Sequence, residues 1–424
     1  MPKLKLPKGF KFGVATAAYQ VEGAAKSEGK GPTMWDWNSR QPNGVADGTT
    51  GDIVDLQYFL YKEDIARVAA IGLNVHSLSI SWARIFPFGT SNSPINRAGL
   101  DHYSDLIDYH ISKGVEPVVT LFHWDVPLAL QAYYGGFTSP KIVNDFVKAH
   151  AGAVKAFRQM KIQGEIAFKN DDFIGMPWRA NNTEDQEAAE RHAAFRIGAF
   201  SDPVYKTGDW PKIMTDTLPP EILPRFTEEE KKDLLGSADF FAIDAYRTSW
   251  VVALDDGIVA CLNNTEHPLW PECQDVRLFD SSGGWAGGPN PDPLAESWLQ
   301  ATPQFLRQSL RELQSRWPTK KMYISEFGFV EAFEQLRSPL FRITEDVTRT
   351  NYYMTYMGEI LLAIHEDKLP IQGIFAWAMI DNAEWGSGTS ARFGIQHVNY
   401  TTLERTYKRS AFALSEFWQA HKTD

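Results

Sequence analysis

Seven short apolar or β-branched runs, separated by stretches of helical periodicity, predict an α/β fold: a TIM (β/α)8-type barrel, incomplete or rearranged around its fourth βα unit. Three observations carry this expectation. Strand-like and helical patterns alternate along the whole chain, its 424 residues allow one barrel as well as two or three average domains, and a closed barrel would need one more strand than can be found. No internal repeat, low-complexity tract or linker interrupts the pattern, so residues 1–424 are read as a single domain.

The strands are expected near residues 13–18, 75–80, 116–122, 165–168, 240–244, 322–325 and 373–377, each too short to be a buried helix. Helices are expected over residues 62–71, 98–113, 141–159, 183–199, 303–316, 348–366 and 407–421, where apolar residues recur every three to four positions. The shortfall lies between the run ending at Phe122-His123-Trp124 and the run at 165–168. After Gly135-Gly136, one helix alone bridges that interval. The Gly/Pro-rich stretch 281–293 is read as a loop over the mouth of the barrel, since patterned sequence resumes on both sides.

The bulk numbers exclude several classes of function. A composition 43% hydrophobic and 13% aromatic supports a large core, while a net charge of −11 argues against a nucleic-acid partner. Lys231-Lys232 and Lys320-Lys321 are too short to be more than solvated surface charge. Cys261 and Cys273, the two cysteines of the chain, rule out a disulfide framework and any metal-type spacing. Two free thiols are expected rather than a pair across a loop, and no metal or cofactor is expected. The N-terminal residues lack the apolar centre of a signal peptide, and no run approaches the ~20 apolar residues of a membrane span. The expected protein is soluble, cytoplasmic and directed at a small-molecule substrate.

Long motifs then follow one another at the predicted strand ends. They are Phe12-Gly-Val-Ala-Thr-Ala-Ala-Tyr-Gln-Val-Glu-Gly23, Leu78-Ser-Ile-Ser-Trp-Ala-Arg-Ile85 and Val118-Val-Thr-Leu-Phe-His-Trp124 in the first half of the chain. Tyr323-Ile-Ser-Glu-Phe-Gly-Phe329 and Phe375-Ala-Trp-Ala-Met-Ile-Asp-Asn-Ala-Glu-Trp385 follow in the second. Together they resemble glycoside hydrolase family 1, the retaining β-glucosidases. The resemblance implies that Glu326 stands at the nucleophile position, in a Ser-Glu-Phe-Gly version of the family's (Thr/Ser)-Glu-Asn-Gly. It also implies a sugar site made by Gln20, His123, Trp124, Trp377, Glu384 and Trp385. The physical logic is independent of the name, because a sugar offers polar edges and apolar C–H faces to amides, carboxylates and flat aromatics.

The resemblance weakens where chemistry is concerned. The Thr-Phe-Asn-Glu-Pro motif that carries the family's acid/base is absent from the sequence, and about fifty residues of the family's barrel are missing around it. Ser77 stands where the family has an Arg that keeps the nucleophile ionised, a partner that lowers a carboxylate pKa by about one to three units. Asp244-Ala245-Tyr246 replaces Asn-His-Tyr; Tyr246 is retained, and Asp244 is read either as a new acid or as a solvated strand-end cap. Lys169, beside Asn170, replaces an apolar family residue and either adds a cation to the site or faces outward.

Three readings result. In the one the sequence favours, the scaffold is repurposed for acid/base chemistry (isomerisation, elimination or cyclisation) on a small metabolite, carried by Glu326, Asp244, Tyr246 and His123. The second is a β-glucosidase with Glu326 as nucleophile and a non-standard acid. The third is a non-catalytic sugar-binding protein.

Overall fold

Runs rich in Val, Ile, Phe and Ala pair into a parallel sheet that is largely buried on both faces, except at its edge. The computed structural model describes residues 4–135, 140–284, 287, 292 and 298–423. In chain order its strands are β1 (Lys11–Thr16), β2 (Val75–Ser79), β3 (Glu116–Thr120), β4 (Lys169–Asn170), β5 (Gly175–Pro177), β6 (Phe241–Asp244), β7 (Ser249–Val252), β8 (Asp275–Arg277), β9 (Met322–Phe327), β10 (Ile371–Trp377), β11 (Gln396–Val398) and β12 (Arg405–Tyr407). The main sheet has seven strands in the order β3-β2-β1-β10-β9-β6-β4, and every neighbouring pair is parallel. Helices follow the strands, as a barrel of the (β/α)8 type requires.

Among the described residues no strand joins β3 to β4, so the curled sheet remains open where the sequence is one unit short. Burial reflects the opening. All five residues of β2 are buried, whereas Val119 on β3 is 38% exposed and Leu121, just beyond it, 58%. A strand inside a closed barrel has a neighbour on each side; β3 has one.

On the other flank of the opening, residues 165–168 are not a strand as expected; pairing begins only at Lys169 and Asn170, which lie against Ala242 and Ile243. With one neighbour instead of two, this run lacks half of the ladder that would extend it. Ile166 instead accepts from and donates to Asp239, its amide meeting the Asp239 carboxylate at 2.9 Å. Two helices fill the interval from β3: a short one, Leu128–Tyr134, which the sequence did not predict, and then the expected one, Pro140–Gln159.

Most other expected elements are present with shifted ends. The first strand stops at Thr16, and the helix expected from 407 begins at Arg409, because Arg405–Tyr407 pairs with Gln396–Val398. The helix from Thr183 passes through two wider π-helical turns, Ala194–Gly198 and Asp202–Lys206. Most of the 281–293 loop, and Gly136 of the Gly135-Gly136 pair, lie outside the described residues.

The two cysteines correct an expectation. Cys261 and Cys273 are not free thiols but form a disulfide, with Cα atoms 5.7 Å apart. The short helix Ile258–Leu262 and the turn at Leu269–Cys273, closed by a 2.7 Å bond from the Cys273 amide to the Leu269 carbonyl, bring both buried sulfurs together.

A buried ionic cluster fixes the segment that follows β10. Lys408 reaches Asp381 at 2.6 Å and also contacts Glu334, while Arg349 contacts Glu334 and meets Asp346 at 2.8 Å. Burial alone would raise the Asp381 carboxyl, but Lys408, with His397, Arg392 and Arg349, holds it well below the usual range. Breaking one member of such a group strands the remaining charges, so the chain from Trp377 to Trp385 is rigidly placed.

Candidate active site

The C-terminal ends of the parallel strands bring the predicted residues to one face, as the fold class demands. Glu326 is near the end of β9, in register with Asp244 on β6, and is only 5% exposed. Its Oε2 accepts a 2.8 Å hydrogen bond from the Tyr246 hydroxyl, and its Oε1 accepts from the Lys169 ammonium. Lys169 also lies 3.4 Å from Asp244 Oδ2, and Asp244 Oδ1 accepts from Ser325 Oγ at 2.8 Å. One cation therefore bridges two buried carboxylates. The sequence left Lys169 open to an outward orientation; the structure turns it inward.

The electrostatics follow from this crowding. Burial first, then the Glu326 charge, pushes Asp244 well above the ordinary carboxylate range. Burial opposes the charge on Lys169, yet Asp244 and Glu326 outweigh it and raise the ammonium above the usual lysine range. Tyr246 is raised by burial and by the same Glu326 charge, so its hydroxyl remains a donor. At Ala245 and Phe327 the side chains pack in the core instead, although the Ala245 amide donates to the Glu326 carbonyl at 2.8 Å. Ala245 packs in the main hydrophobic core, and Phe327 packs against Tyr352 and Tyr353, on the opposite face of β9 from Glu326.

Beside the carboxylates stands a wall of aromatics and amides. The His123 ring is nearly parallel to those of Trp377, 5.9 Å away, and Trp385, 5.8 Å away. Trp124 contacts Trp385 at 5.2 Å. Trp35 and Tyr19, which the motifs alone did not single out, pack on Trp385 from its other side. Both Trp124 and Trp385 have positive φ, at 65° and 42°, a conformation that bulky residues adopt only under constraint. Gly328 lets the chain after Glu326 pass close to this wall: a Cβ there would sit 1.9 Å from the Trp377 carbonyl oxygen.

The Gln20 amide donates to Glu384 Oε2 at 3.1 Å and to the Ala383 carbonyl at 3.0 Å. Its own carbonyl oxygen, Oε1, is buried without a partner among the described residues, an acceptor available to a hydroxyl. His123 is pushed well below the usual imidazole range by burial and then by Lys169, so near neutrality it is an uncharged hydrogen-bonding group and not an imidazolium acid. Among the described residues no group of three or more His, Cys, Asp or Glu side chains is placed to hold a metal ion, and no helix is long and apolar enough to cross a membrane.

Two acidic residues follow Lys169, and sequence reasoning singled out neither. Asp171 is exposed, and desolvation by its surroundings followed by the Glu326 charge raises its carboxyl to about 6. Asp172 is likewise raised to about 6, chiefly by burial. Their signal was present in the sequence as Lys169-Asn-Asp-Asp172, a charged run directly after a strand, where a barrel keeps its chemistry.

Comparison with known proteins agrees with this geometry. The profile of Glycosyl hydrolase family 1 matches residues 3–148 and 145–423, two stretches that meet inside the helix Pro140–Gln159. Beta-glucosidase 4 of Oryza sativa subsp. japonica is 32% identical over 472 aligned positions, covering 97% of this chain and 94% of its own. Beta-glucosidase 1B of Phanerodontia chrysosporium is 31% identical, covering 99% and 87%. Both alignments are longer than the 424-residue chain, so part of each relative has no counterpart here. Among solved structures, the β-glucosidase of the fungus Humicola insolens, in complex with glucose, superposes with a TM-score of 0.89 at 30% identity over 99% of both chains. The β-glucosidase of Trichoderma harzianum superposes with 0.90 at 31% identity, covering 99% and 98%. None of these names supports the favoured expectation of isomerisation, elimination or cyclisation; they support the β-glucosidase alternative. Matched by the family profile along almost its whole length, the chain belongs to glycosyl hydrolase family 1.

Proposed function

We propose that the protein is a retaining β-glucosidase in which Glu326 is the nucleophile. One observation carries the reading: Glu326 is held between the Lys169 cation and the Tyr246 hydroxyl, beside the wall of Gln20, His123, Trp377 and Glu384. A glucose ring stacked on Trp377, with hydroxyls on Gln20, His123 and Glu384, turns its anomeric carbon toward Glu326. Attack by the carboxylate forms a glycosyl ester, and water later releases the sugar with its original anomeric configuration. Lys169 stands in for the family's absent Arg, since an adjacent cation favours the ionised carboxylate that attack needs. Asp244, 3% exposed and engaged by Ser325 and Lys169, holds that lysine in place at the floor of the site.

The test is a dinitrophenyl 2-deoxy-2-fluoro-β-glucoside, whose leaving group needs no acid. Wild type should release one equivalent of dinitrophenol and carry the sugar on the peptide containing Glu326, and Glu326→Gln should do neither. Wild type that folds but releases no dinitrophenol from this compound or from the parent glucoside would remove the proposal in favour of a sugar-binding role.

A further inference from the structure

The family's acid/base carboxylate belongs to a motif that this sequence lacks, and the sheet is open where its strand would lie. The strand end nearest that opening is β4. Asn170 turns its side chain away from the site, with Nδ2 donating to the Ala242 carbonyl at 3.1 Å and Oδ1 accepting from Ser201 at 3.1 Å. Lys169, one residue earlier, points to Glu326 and Asp244. Side chains alternate along extended chain, so Asp171 returns to the side of Lys169, one step closer to the mouth. Its charge acts on all three groups of the cluster, Lys169, Asp244 and Glu326.

Resting on the β-glucosidase reading, we infer that Asp171 is the general acid/base of this enzyme, a carboxylate moved from the missing strand to the end of the next one. The requirement that selects it is access. An acid must reach the glycosidic oxygen on the aglycone side, and Asp171 is exposed while Asp244 is buried beneath Lys169. In the first step a Glu326 oxygen bonds to the anomeric carbon, the glycosidic C–O bond breaks, and the departing oxygen takes the Asp171 proton to leave as an alcohol. In the second, the Asp171 carboxylate takes a proton from water as the water oxygen bonds to the anomeric carbon. The ester bond to Glu326 breaks, returning its carboxylate and free glucose. Because the Glu326 charge is among the causes that raise Asp171, forming the neutral ester lowers Asp171 and suits it to act as a base in the second step.

The experiment compares Asp171→Ala and Asp171→Asn with wild type on methyl and dinitrophenyl β-glucosides, with azide as a substitute nucleophile. General acid–base assistance contributes about 10² to 10⁴ in rate, so kcat/KM for the methyl glucoside should fall by that factor in both variants. Fluoroglucoside labelling of Glu326 should persist, which also shows that the variants fold. Azide should speed dinitrophenyl glucoside turnover by Asp171→Ala and give β-glucosyl azide, a product that wild type does not form. Variants within a few-fold of wild type on the methyl glucoside would overturn the assignment and leave the β-glucosidase reading standing. A wild type that cleaves the dinitrophenyl but not the methyl glucoside would overturn it too, since no acid would then be in place. Absence of labelling in wild type would remove both.

Discussion

Lys169, from the strand that borders the opening in the sheet, donates to the Glu326 carboxylate and thereby supplies the positive charge that Ser77 on β2 cannot. In the proposed β-glucosidase reading, this lysine takes the place of the Arg that the family resemblance assigns to the second strand. The exchange is physically sufficient because a carboxylate responds to the distance and burial of a cation, not to the strand that carries it.

Lys169→Met should therefore leave Glu326 and Asp244 buried together without a counter-charge. kcat/KM for a dinitrophenyl glucoside at pH 7 should fall at least about tenfold, since the nucleophile loses its neighbouring cation. Stability should fall by about 3–5 kcal/mol, the cost typical of removing one partner of a buried ion pair, as read by urea unfolding at pH 7. Lys169→Arg should recover most of both. An undiminished kcat/KM in Lys169→Met would show that Lys169 does not support Glu326 as the nucleophile.

Asp244 makes a prediction of opposite sign. Its folded value is raised, so its contribution to stability is fully present below the unfolded value of about 3.9 and is lost as pH rises toward the folded one. Asp244→Asn removes that loss. The urea midpoint of the variant relative to wild type should rise between pH 4.5 and pH 8, and a difference independent of pH would contradict the raised value.

The opening between β3 and β4 can be measured without a ligand. Leu121, 58% exposed, should tolerate change to Ser within about 0.5 kcal/mol. Leu78, 4% exposed in a packed cluster with Ile65 and Leu106, should lose about 2–5 kcal/mol on change to Ala. Comparable losses at both positions would mean that something covers the β3 edge.

The disulfide gives a fourth expectation. Closing a loop across a separation of 12 residues restricts the unfolded chain by about 3 kcal/mol. Cys261→Ser and Cys273→Ser should each lower the urea midpoint accordingly, and dithiothreitol should lower that of wild type but of neither variant. Two reactive thiols in the unreduced, unfolded chain would show that the bond does not form.

The sequence by itself determined the fold class, the missing unit and most of the aromatic and amide wall beside Glu326. Strand periodicity, helical periodicity and motif order are local or sequential properties, and they put Gln20, His123, Trp377, Glu384 and Glu326 at strand ends without coordinates. Tertiary structure alone decided which charged groups meet. The direction of Lys169 depends on the alternation of a two-residue strand whose start the sequence misplaced, and the role proposed for Asp171 rests on the same register. The disulfide depended on a turn that brings residues 12 apart into contact, and Phe327 on the face of β9 to which it points. Each of these is a through-space relation between segments distant in the chain or a question of strand face. A pattern of residue types fixes neither until the chain has packed.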